Sequence, residues 1–200
     1  VMGGAGNDFL SLGNTLGSGS TIAGGDGNDT FIVSTATAAL ISGGLGVDSV
    51  SIVSSLVGST IDFGSGDESF TLTLDSTQSS ILGGDGRDTL IFSSTMTSSY
   101  VGGGSGNDLI SFAQIVGFGN TIDGGAENDT LIFSTTVSAA SLAGAEGDDS
   151  FSFGSTVASV TLSGGAGNDS LSFGVNVSNS YLSMDGGSCL LYTSPSPRDQ

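Results

Sequence analysis

The stretch Gly83-Gly84-Asp85-Gly86-Arg87-Asp88-Thr89-Leu90-Ile91-Phe92 decides the fold, because its first six residues recur nine times, intact or in close variants. Numbered by the closing acid, the copies end at Asp8, Asp29, Asp48, Glu68, Asp88, Asp108, Asp129, Asp149 and Asp169, at spacings of 19 to 21 residues. A repeat this short cannot close a core of its own. It fits one coil of a solenoid, in which apolar residues are buried only against the coils above and below. The expected architecture is therefore all-β: a parallel β-solenoid of about nine turns, each ~20 residues long, with one row of loops along one edge.

Outward from the loop, the columns define the strands. Two residues after the closing acid stand Leu10, Phe31, Val50, Phe70, Leu90, Ile110, Leu131, Phe151 and Leu171. Four residues after it stand Leu12, Val33, Ile52, Leu72, Phe92, Phe112, Phe133, Phe153 and Phe173. Ser, Thr or Ile mostly fill the positions between, and that alternation marks a half-buried strand. The five phenylalanines from Phe92 to Phe173 predict an inward packing ladder. A second strand is expected before each loop, on the column Val1, Ile22, Ile41, Ile61, Ile81, Val101, Ile122, Leu142, Leu162 and Leu182. Between the two lies a Ser/Thr-rich return with a looser apolar column: Leu16, Leu56, Met96, Val116, Val137, Val157 and Val177, interrupted at Thr37 and Ser76. No stretch carries apolar residues at helical spacing.

Composition narrows the function. Twenty acidic residues face two arginines, with no lysine and no histidine. Fifteen of those acids lie inside the nine hexapeptides, so the charge belongs to the loops. A carboxylate row without basic partners needs a cation. Nucleic acid is excluded as a partner, since phosphate contacts require lysine and arginine. No apolar run approaches the ~20 residues that span a bilayer as a helix. Without histidine there is no Ser-His or Cys-His pair. The doublet Asp148-Asp149 reads as a loop ligand beside a solvated neighbour, so no enzyme activity is expected of this segment.

Glycines let each loop reverse the chain and turn its carbonyls toward one point. Carbonyls and a carboxylate from adjacent turns make a hard, all-oxygen cage suited to Ca²⁺, which takes six to eight such ligands. Zinc, copper and iron are disfavoured for lack of histidine and native thiol, and magnesium ranks second.

With these residues in view, Gly-Gly-x-Gly-x-Asp followed by x-U-x resembles the RTX, or haemolysin-type, calcium-binding repeat. Loops 3–8, 24–29, 43–48, 83–88, 103–108 and 164–169 keep the hexapeptide whole. The resemblance implies calcium held between stacked turns by Asp8, Asp29, Asp48, Asp88, Asp108 and Asp169. The loop glycines would supply carbonyls: Gly3, Gly4 and Gly6; Gly24, Gly25 and Gly27; Gly43, Gly44 and Gly46; Gly83, Gly84 and Gly86; Gly103, Gly104 and Gly106; Gly164, Gly165 and Gly167. Asp129 and Asp149 join the set from degenerate loops, with Glu68 as a weaker ligand. Weaker or empty sites are expected at 63–68, where Phe63 replaces a glycine, at 124–129, with Glu127, and at 144–149, with Ala145.

The common arrangement of the family has calcium rows on both edges of a β-roll. One loop per turn here implies a single row opposite an uncharged corner. The resemblance further implies a calcium-stabilised structural or adhesive region of a large secreted or cell-surface bacterial protein, exported unfolded by type I secretion. Its partners would be calcium ions and neighbouring repeats of the same parent chain. Alternatives are the repeat tail of a secreted enzyme or toxin, and an ice- or polysaccharide-binding solenoid using the outward ladder Thr30, Ser49, Ser69, Thr89, Thr130, Ser150 and Ser170. Phe9 and Leu109 break that ladder.

The repeat region is assigned to 1–188. Val1 shares a column with Ile22, so the chain is expected to open inside a repeat. Residues 189–200 hold the only cysteine and both prolines and resemble a translated sequencing adaptor. They are expected to be a non-native, disordered tail.

Overall fold

The structure is a computed structural model that describes residues 1–174 and 177–184 and the backbone of 190–193. It is a stack of turns in which every strand pairs in parallel with its equivalent one turn away. The strand before each loop enters a ten-stranded sheet running from Met2–Ala5 to Tyr181–Ser183. The strand after each loop enters a seven-stranded sheet from Ser69–Leu72 to Leu190–Thr193, continued in the early turns by a five-stranded sheet that begins with Phe9–Leu16. Registers follow the period of the sequence: Ile61, Ile81 and Val101 align, as do Phe92, Phe112 and Phe133. Among the described residues there is no helix.

Side chains alternate as the columns require. Phe31, Ile41, Leu90, Ile110 and Phe151 are fully buried, while the Ser/Thr positions between them face outward or lie half-buried. The phenylalanine ladder is present. Phe92, Phe112, Phe133, Phe153 and Phe173 stack with ring centroids 4.7–5.3 Å apart and planes within 12°. That centroid spacing is the inter-strand distance, so parallel pairing in register itself dictates the stack.

Two expectations need correction. The return segment carries a third, two-residue strand in several turns, such as Met96–Thr97 and Val137–Ser138. It is too short for a periodic signal. In the second turn the buried return residue is Ala36, aligned with Leu56, rather than Thr37. That turn is one residue shorter than the usual 20, which moves the core position back by one. Leu190–Thr193, inside the segment assigned to the tail, pairs with Ser170–Phe173. Leu-Leu-Tyr-Thr has the strand propensity to add to the open edge of a parallel sheet. The rest of 189–200 lies outside the described residues.

The corner opposite the loops is held by a buried polar ladder. The Ala39 N–H donates to Ser59 Oγ, Ser59 N–H to Ser79 Oγ, Ser79 N–H to Ser99 Oγ and Ser99 N–H to Asn120 Oδ1, at 2.9–3.4 Å. Each serine hydroxyl in turn donates to the carbonyl two residues earlier. Asn120 also donates to Met96 O and Gly117 O, pinning a turn that is one residue longer than most. This corner is uncharged, as the sequence predicts.

Candidate metal centre

Each loop begins at an inward-pointing position and ends at an inward-pointing acid, and the site forms between them. The first loop residue continues the alternation of the preceding strand, so its side chain would enter the core. Gly24 therefore leaves a space inside the corner. The second and fourth positions reverse the chain in the left-handed region, as at Gly84 (φ 112°) and Gly86 (φ 135°). There glycine avoids a Cβ clash. The reversal swings the closing acid back inward, and Asp29, Asp48, Asp88, Asp108, Asp129, Asp149 and Asp169 are all at most 3% exposed.

The two oxygens of each carboxylate differ. Oδ1 accepts the backbone N–H of the preceding closing acid: Asp8 to Asp29, Asp29 to Asp48, Glu68 to Asp88, Asp88 to Asp108, and onward to Asp169, at 2.7–3.0 Å. Oδ2 of Asp8, Asp29, Asp48, Asp88, Asp108, Asp129 and Asp149 is buried without a hydrogen-bond partner. A buried, unpaired carboxylate oxygen is costly, and its recurrence in seven turns requires a common partner.

The position of that partner is fixed by the glycines. A Cβ built on Gly3, Gly24, Gly43, Gly83, Gly103, Gly124 or Gly144 would strike Oδ2 of its own loop's acid and also the carbonyl oxygen of the equivalent residue one turn on. For Gly24 these are Asp29 Oδ2 and Gly43 O, and for Gly103 they are Asp108 Oδ2 and Gly124 O. One carboxylate oxygen and one carbonyl from adjacent turns thus converge on a space that only glycine leaves free. Among the described residues no three His, Cys, Asp or Glu side chains converge, so carbonyls must complete the ligand set. The donors are all hard oxygens, which fits calcium.

Burial without a cation raises the acids. Asp48, Asp108 and Asp149 are pushed up to about 6 and Asp129 to about 7, chiefly by desolvation and secondarily by neighbouring carboxylates, against the backbone hydrogen bond that lowers them. A divalent ion would reverse this, because it favours the charged form.

The degenerate loops separate into two kinds. At 124–129 and 144–149 the space at Gly124 and Gly144 is intact, with Gly144 O and Gly164 O turned toward it. Glu127 (φ 74°) and Ala145 (φ 82°) instead bear backbone strain in the left-handed region. Loop 63–68 is different: Phe63 is fully buried where the glycine should be.

A second ladder, not foreseen from the sequence, runs along the loop exterior. Asn7, Asn28, Asp67, Asn107, Asn128 and Asp148 each accept, through Oδ1, the N–H of the equivalent residue in the following turn, at 2.6–3.3 Å. It points opposite to the inner ladder, so loops joined by both are tied in both directions, and Val47 and Arg87, which carry no Oδ1, interrupt it. The signal was present as the recurrent Asn or Asp just before the closing acid.

The RTX calcium-binding nonapeptide repeat matches in four copies, at residues 1–14, 17–33, 116–132 and 159–175. The structure is similar to the crystal structure of a hyperactive, Ca²⁺-dependent, β-helical antifreeze protein from an Antarctic bacterium. The TM-score is 0.53 at 15% identity, covering 99% of this chain and 86% of that one. At that identity the likeness shows the fold alone. Among curated proteins no relative matches. Repeat motif, stacked turns and converging oxygens agree: the chain is a parallel β-solenoid, four stretches of which match the RTX calcium-binding repeat, and calcium is the ion that its loops take.

Proposed function

We propose that this chain is a calcium-stabilised structural or adhesive stretch of a large secreted or cell-surface bacterial protein, without catalytic activity of its own. The observation that carries this reading is the row of buried, unpartnered Oδ2 atoms, each facing a carbonyl from the next turn. Such a row destabilises the fold until cations fill it, so binding energy becomes folding energy. A chain of this kind stays unfolded where calcium is scarce and stiffens where it is plentiful, which suits export followed by assembly outside the cell. No helix among the described residues is long and apolar enough to cross a membrane. The outward Ser/Thr ladder, broken at Phe9 and Leu109, gives ice binding no advantage over this reading.

Circular dichroism with and without calcium tests the proposal. The expected result is a largely disordered spectrum in chelator and a β spectrum in millimolar calcium, with reversal on adding chelator. Identical spectra in both conditions would overturn it.

A further inference from the structure

We infer that loop 63–68 is a metal-free break in the calcium row, plugged by Phe63, which divides the row into one block spanning loops 3–8 to 43–48 and another spanning 83–88 to 164–169. The inference rests on the calcium reading above and goes beyond it to the occupancy of one named turn.

Three observations converge on the plug. First, the inward position at the start of the loop holds a phenyl ring rather than a hydrogen. In the loops on either side, a mere Cβ on Gly43 or Gly83 would already overlap the aspartate oxygen and the next carbonyl. The Cβ of Phe63 occupies that same place. Second, the ring cannot swing aside. Phe63 is fully buried and packs on Phe70 at 5.3 Å with a 55° tilt, and Phe70 packs edge-on against Phe92 at 6.3 Å. The plug is thus the first ring of the aromatic stack. Third, the acid has changed with it. Glu68 is one methylene longer, and its Oε1 lies beside Gly66. Both of its oxygens are buried without a donor. Phenyl and lengthened acid form a matched pair, since the ring needs the space that an aspartate carboxylate would take.

The break is local. The cradle of loop 43–48 is complete, because the Phe63 carbonyl still faces Asp48 Oδ2. Loop 83–88 is complete as well, with Asp88 Oδ2 and Gly103 O converging at Gly83. The inner ladder has its gap at the same turn, where both Glu68 oxygens lack a donor, and resumes at once, since the Glu68 N–H donates to Asp88 Oδ1 at 2.8 Å. Turn four thus keeps its strand pairing and replaces an ion with hydrocarbon.

The test counts ions by native mass spectrometry and equilibrium dialysis in saturating calcium chloride. With nine loops in the sequence, the unmodified chain is expected to hold at most eight ions. Phe63→Gly/Glu68→Asp is expected to hold one more than the unmodified chain, and Asp108→Asn one fewer. Glu68→Gln alone should leave the count unchanged, and it keeps the inference falsifiable if the double variant does not fold. Nine or more ions on the unmodified chain, an unchanged count in a folded double variant, or loss of an ion in Glu68→Gln would each overturn the plug. Absence of any bound calcium would instead sink the calcium reading itself.

Discussion

At Gly103 the functional group is a missing one. Its absent Cβ leaves the space on which Asp108 Oδ2 and Gly124 O converge. Gly103→Ala is therefore expected to lose the ion at that turn and to add an overpacking cost of about 1–3 kcal/mol. Thermal unfolding in calcium should show the full loss, whereas in chelator the difference should shrink to the steric part alone. Equal destabilisation in both conditions would remove the metal from the explanation. The sequence displays this glycine only as part of a motif. That it faces the core follows from strand alternation, which was legible. That its virtual Cβ meets an oxygen one turn away was not, because nothing in a linear chain reports the axial neighbour. The same blindness hid the outer Asn/Asp ladder, whose residues recur before seven of the nine closing acids.

Among elements, the strand after the loop carries most of the apolar packing. Phe133 lies between Phe112 and Phe153, at 5.3 and 5.0 Å and nearly parallel to both. Phe133→Ala is expected to cost about 3–5 kcal/mol. Phe173→Ala should cost less, because the ring contact described for it is with Phe153 alone. Urea unfolding in calcium would compare the two, and equal losses would contradict nearest-neighbour stacking. These strands were readable because two apolar columns hold in all nine turns. The return strands were not, since two residues such as Met96–Thr97 give no period to detect. The buried serines of the far corner were visible only as a Ser/Thr-rich tract. Ser59, Ser79 and Ser99 are distinguished there by a buried ladder rather than by composition.

For the whole molecule, the decisive quantity is net charge, formally −18, much of it lining one edge. In chelator the closing acids have folded-state pKa values raised from 3.8 to about 6 for Asp48, Asp108 and Asp149 and about 7 for Asp129. The folded state then binds more protons than the unfolded chain between pH 4 and 7. Its stability is greatest below about pH 4 and falls as pH rises through 6 to 7. Calcium reverses the trend, because the ion needs the ionised carboxylates that acid removes. Circular dichroism across this range should therefore show metal-free structure gained toward acid and calcium-bound structure lost toward it. Parallel trends in the two conditions would contradict the buried carboxylate row.

The axial pairing has a mechanical consequence. Successive turns are joined by one covalent crossing and by hydrogen bonds that lie along the rod, so tension applied at its ends peels turns rather than shearing them. A turn occupies ~4.8 Å of the rod, whereas its chain extends to roughly 70 Å when pulled straight. Each turn released would lengthen the tether more than tenfold over the distance it had filled, while its neighbours stay wound.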